Sequence, residues 1–132
     1  MSRKIRDELL KVTKALPAAD ANADSDSIDL EQASAFPLNE SIDVELAVPA
    51  LPALANTKTL TFTFKDSADD STFANIAALA TLVITGGASG AAATTRVVRL
   101  PSSARRYINV NAAVEADGGD NTGVSYTLSL LL

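Results

Sequence analysis

The sequence predicts an all-β protein: an antiparallel β-sandwich, jelly-roll-like in its strand spacing, preceded by a short N-terminal α-helical arm. Three observations carry this. Four runs alternate apolar and polar residues with a period of two. About seven short runs in all are separated by turn-forming clusters, and no helical periodicity lies between them. The one strong 3.6-residue pattern sits in the first sixteen residues. On these signals the chain divides into a helical arm at 1–17, an acidic linker at 18–27 and a sandwich domain at 28–132.

The arm rests on Ile5, Leu9, Val12 and Leu16, which share one face of a helix, with Ser2 placed to cap it and Pro17 to stop it. So short a helix is marginal alone in water, so it is expected to dock. Its own domain, a sister subunit and a different protein all remain open as the docking surface. Its basic residues Arg3, Lys4 and Arg6 join the four apolar ones as candidate partner contacts.

Residues 18–27 (AADANADSDS) are small and acidic, as a solvated linker would be. Asp24, Asp26 and Asp29 are spaced somewhat like a calcium loop. The turn glycine and closing glutamate of such a loop are missing, so no metal site is expected.

The strands then follow in order. Ile28 and Leu30 point inward on a short first strand; Ile42, Val44, Leu46 and Val48 alternate with Asp43, Glu45 and Ala47 on the next. Leu60, Phe62 and Phe64 alternate with threonines. Residues 76–85 are apolar on both faces, which predicts a strand whose outer face a partner covers through Leu79, Thr81 and Val83. In 93–100 the adjacent Val97 and Val98 break the alternation and predict a bulge or a strand changing partners. Residues 107–114 and 124–132 are clean alternating strands, and DGGDNTG at 117–123 between them reads as a hairpin turn. Arg105 and Arg106 at a strand entry read as a solvated edge that deters sheet-to-sheet pairing or as an ion-pair anchor, and DSADDSTF at 66–73 as an acidic turn capping a hairpin or a polar contact to a partner subunit.

Composition narrows function. Of 132 residues none is His or Cys, which removes the imidazole base, the thiolate nucleophile and the common zinc ligands. GGASG at 86–90 has neither the spacing of a serine elbow nor the lysine of a phosphate loop. A carboxylate pair acting on sugars is disfavoured by the scarcity of aromatic residues, which number only two Tyr and four Phe. The expectation is a protein that is not an enzyme, with no catalytic residues, no cofactor and no metal.

Net charge is −5, distributed as +3 over residues 1–14, −8 over 15–50 and zero beyond. An acidic body argues against nucleic acid as a partner. No run is long and apolar enough to predict a membrane partner, and charged residues interrupt any secretory leader, which predicts an intracellular product.

Four segments carry a resemblance: IDL at 28–30, TLTFTFKDSADDSTF at 59–73, RVVRLPSSARRYINVNAAV at 96–114 and SYTLSLLL at 125–132. Their order resembles that of the small jelly-roll cement, or decoration, proteins of tailed-bacteriophage heads, over residues 28–132. The resemblance implies a structural virion protein assembled in the host cytoplasm and placed on the capsid surface. There it would be a homo-oligomer, dimer or trimer, bridging subunits of the major capsid protein. The alternative is a non-catalytic binding module, either a carbohydrate-binding or a tail-associated adhesin sandwich.

Overall fold

The computed structural model describes residues 6–30, 42–101 and 104–131, with the side chains of 6–10 left out. The period-two segments become strands, ten in the described residues: β1 (Arg6–Ala15), β2 (Ala21–Asp24), β3 (Ile28–Asp29), β4 (Asp43–Val48) and β5 (Thr59–Ser67), then β6 (Ala74–Asn75), β7 (Leu82–Thr85), β8 (Thr94–Arg99), β9 (Tyr107–Val114) and β10 (Ser125–Leu131). They form two antiparallel sheets. Sheet A runs β1-β10-β4-β8; sheet B runs β2-β9-β5-β6, with β3 also on β9 and β7 also on β5.

The alternation decides which faces meet. In β4, Val44, Leu46 and Val48 are buried while Asp43, Glu45 and Ala47 are only partly so; β5 buries Leu60, Phe62 and Phe64. Leu128, Leu130 and Tyr126 line β10 on the same side, and Ile108, Val110, Ala112 and Val114 line β9. All belong to one core. Phe62 of sheet B meets Tyr126 of sheet A edge to face, centroids 5.0 Å apart, an arrangement favoured by the ring quadrupoles. Burial pushes the Tyr126 phenol far above its usual range, with the Asp24 and Asp26 carboxylates adding to the effect.

The N-terminal segment corrects the helical expectation. Residues 6–15 are a strand, and no α-helix occurs among the described residues. Val12 and Leu16 satisfy a spacing of four, which two strand periods satisfy equally well. The free edge of β10 decides between the two. From Lys11↔Ser129 to Ala15↔Ser125 the segment pairs residue by residue, with a register shift between Arg6 and Lys11. The segment read as a linker is also ordered: Ala21–Asp24 is β2, an edge strand laid along Val114–Asn111 of β9.

Three smaller readings change as well. Only residues 82–85 of the expected 76–85 strand are β, with Leu82 and Ile84 inward and Val83 and Thr85 outward. Ile76 is buried and Leu79 packs on the core from the preceding turn. β8 pairs with β4 in unbroken register from Thr94↔Val48 to Arg99↔Asp43, so Val97 and Val98 make no bulge. The 117–123 loop joins β9 of sheet B to β10 of sheet A, crossing between sheets instead of closing a hairpin.

Crossings of this kind bring backbones close. Gly119 and Gly90 adopt φ +87° and +85°, and a Cβ would collide with the Ala53 carbonyl oxygen at the first and the Leu51 carbonyl oxygen at the second. Replacing Phe62 by Ala is expected to lower the unfolding free energy by about 3–5 kcal/mol in a urea titration. Val83→Ala, on the wet side of β7, should stay within about 0.5 kcal/mol.

Candidate interaction surfaces

The residues expected to touch partners fall into separate groups. Arg3, Lys4 and Ile5 lie outside the described residues; Arg6 and Leu9 sit on β1, their side chains outside the description. Val12 is partly buried against the core and Leu16 is 2% exposed, so both serve this domain's own packing. Of the three sandwich positions, Leu79 is half-buried on the core, Thr81 is exposed and Val83 is 52% exposed.

β7 pairs only with β5, and β8 only with β4, among the described residues. Both are therefore edge strands. The turn at Gly87–Gly90, closed by Gly87 N–H donating to Gly90 O at 2.8 Å, puts them on the same side of the sandwich. Arg96 leans inward from β8, and its Nη1 donates to Thr81 O at 3.2 Å, bridging the two sheets there. A cleft of about 460 Å³ lies along this side, lined by β7, the glycine turn and Thr94. Val97 on the outer flank is 50% exposed. The sequence pointed to Val83 but not to Val97, whose neighbour Val98 takes the inward position.

One end of sheet B is held by ion pairs. Asp66 is 8% exposed; its carboxylate accepts from Arg105 Nη2 at 2.7 Å, Nε at 3.0 Å and the backbone N–H at 3.1 Å. Arg105 Nη2 also donates to Asp66 O at 2.9 Å. Arg106 grips Asp29 with two bonds of 3.0 Å and stacks 4.9 Å over the Tyr107 ring. The two arginines are thus anchors, and they tie the IDL, KDSAD and RRY segments together.

The acidic turn is built around Asp69. Its Oδ1 accepts from the Ser71 and Thr72 N–H groups, both at 3.0 Å, and from Ser67 Oγ at 2.8 Å. The Thr72 N–H, then the Ser67 hydroxyl and the Ser71 N–H, hold the carboxyl at about 2, below the ordinary 3.8. Elsewhere the Thr59 hydroxyl lowers Glu115 and the Thr122 hydroxyl lowers Asp120. Among the described residues no group of three or more His, Cys, Asp or Glu is placed to hold a metal. Asp29 is taken by Arg106, and Asp24 lies 3.6 Å from Lys65.

Fold and surfaces together define an antiparallel β-sandwich domain with ion-paired loops at one end and open strand edges along one side. The chain belongs to the Bbp16 family, whose model matches residues 12–126. No curated protein matches it. Among solved structures it is similar to the PBSX exported protein XepA, with a TM-score of 0.53 and 12% identity over 90% of this chain. The chain spans 34% of that protein's length. It also matches a structure of the disulfide-linked pili of Bacillus endospore appendages (TM-score 0.46, 14% identity, 98% of this chain and 89% of that one). A family 16 carbohydrate-binding module-2 matches at a TM-score of 0.36 and 8% identity, over 87% of this chain and 71% of that one. The likeness to XepA is one of fold.

A carboxyl whose folded pKa is depressed stabilises the fold above its unfolded value and loses that contribution as pH falls through the folded one. Stability should therefore decline as pH drops from about 4 towards 2, in part through Asp69. Asp69→Asn should show a shallower decline over that window in denaturant titrations at stepped pH. Equal slopes would remove Asp69 as a contributor.

Proposed function

We propose that this chain is a cement protein of a tailed-bacteriophage head. It attaches to the outside of the shell as a dimer or trimer and bridges neighbouring major capsid subunits. The observation that carries the reading is the open side of the sandwich, where the β7 and β8 edges run together with Val83 and Val97 exposed on either flank.

Open edges offer backbone N–H and C=O groups that a neighbouring chain can pair, while flanking apolar side chains add buried area. A protein–protein interface needs on the order of 1,600 Å² in total to be stable without any chemistry. Repetition over a closed shell multiplies modest contacts. Further support comes from the resemblance of residues 28–132 to the cement group. The strand order β1-β10-β4-β8 facing β2/β3-β9-β5-β6/β7 is also the one we read as a jelly roll.

Purified protein mixed with expanded heads of its phage and sedimented should pellet saturably. The Val83→Glu/Val97→Glu double variant should bind about tenfold more weakly while its thermal midpoint stays within a few degrees. Failure to pellet with either immature or expanded heads would sink the proposal, and saturable binding to a glycan panel would favour the binding-module reading instead.

A further inference from the structure

A second surface lies across the molecule from the open edges. β2 and β3 both pair with β9, but in registers one residue apart: Asp24 faces Asn111, while Ile28 faces Ile108. The four steps from 24 to 28 oppose three on β9; Ser25 stays on the ladder, its N–H donating to Val110 O at 2.9 Å, so the extra residue is taken up at 26–27, which bulge away from the sheet. The bulge arches over Asn109. Facing it is the β5–β6 turn, where Asp70 adopts φ +60°. Ser27 Oγ donates to Asp70 Oδ1 at 2.6 Å and ties the two walls together. A cleft of about 430 Å³ lies between them, lined by Asp24, Asp26, Asp70, Phe73 and Asn109 among others.

The chemistry of this cleft is one-sided. Asn109 alternates with the core residues Ile108 and Val110, so its side chain projects from the outer face of sheet B, towards the cleft it lines. It is nevertheless only 3% exposed. Its amide nitrogen reaches Ser25 O at 3.5 Å, but its amide oxygen has no donor among the described residues. A buried acceptor without a donor is uncommon in folded proteins. Asp24 is served by Lys65 at 3.6 Å and by Asn111 Nδ2 at 2.8 Å. Asp26 and Asp70 have no cationic partner among the described residues. Acceptors surround the space, and the aromatic ring of Phe73 forms part of its wall.

We infer that this cleft receives an arginine side chain from a neighbouring protein subunit. A metal ion requires ligands converging within about 2.6 Å of one point, and no such acidic group exists among the described residues. A guanidinium instead spreads five N–H donors over a rigid plane, reaches separated acceptors at once and stacks on an aromatic face. The same end of the molecule already treats arginine this way twice, at Asp66–Arg105 and Asp29–Arg106. The inference goes beyond shell attachment, because it concerns a different face and holds whichever subunit brings the arginine.

Titration of the full chain with N-acetyl-arginine amide, followed by amide and side-chain NMR shifts, tests it without any shell. Saturable shifts are expected at Ser27, Asp70, Phe73 and the Asn109 carboxamide, and none with the neutral isostere N-acetyl-citrulline amide. Asp26→Asn with Asp70→Asn should weaken binding about fivefold or more. Both substitutions leave the fold in place, since Asp26 is exposed and asparagine tolerates the left-handed backbone of position 70. Equal response to arginine and citrulline, response to neither, or a response at these residues to calcium chloride alone would overturn the inference.

Discussion

The structure depends on the position of β10. It lies inside sheet A, with Leu128, Ser129 and Leu130 at most 1% exposed, so its peptide groups have almost no access to water on either face. Buried backbone groups have to find partners. β4 satisfies one edge from Thr127↔Ala47 to Leu131↔Asp43. The other edge needs a strand of matching length, and Lys11–Ala15 is the segment that supplies it. Once that edge is closed, sheet A presents Tyr126, Leu128 and Leu130 as one continuous face, against which Phe62 and the rest of sheet B can pack.

That requirement also explains what the sequence could and could not reveal. Alternation located β9 to the residue and β4 to within one; it found the start of β5 but not its end, since the strand runs on through Lys65, Asp66 and Ser67 into what read as an acidic turn. The helical reading of the first sixteen residues failed because Val12 and Leu16 fit both periods, and the deciding partner, β10, lies more than a hundred residues away in the chain. β2 was missed because Ala-Asn-Ala-Asp has no bulky residue to mark an inward face; it is a strand because β9 needs an edge partner. Position 83 was legible as an exposed apolar residue in a strand. An ion-pair anchor at Arg105 and Arg106 was one of two readings the sequence allowed, but its partners were not legible, since Asp29–Arg106 and Asp66–Arg105 join residues 77 and 39 positions apart.

Those ion pairs shape the end of sheet B where the acidic cleft sits. Asp29–Arg106 anchors one side, Asp66–Arg105 the other, and Ser27–Asp70 spans the gap. The Asp69 turn, with three donors on one carboxylate oxygen, stiffens the wall between. A cleft held this way meets its occupant already shaped, so little ordering entropy remains to be lost on association. The opposite side is built differently: β7 and β8 are short edge strands among the described residues, and Arg96 of β8 bonds the Thr81 carbonyl just before β7.

The strand order has a further meaning for how the polypeptide reaches this shape. Among the described strands β10 comes last in sequence, yet it sits between β1 and β4. The β4–β8 pair can form early, but β1 and the second edge of β4 must wait until residues 125–131 have emerged from the ribosome. Such non-local closure belongs to the slow end of folding for small domains. A chain cut short before Ser125 would leave β1 without its partner and β4 with one edge unpaired.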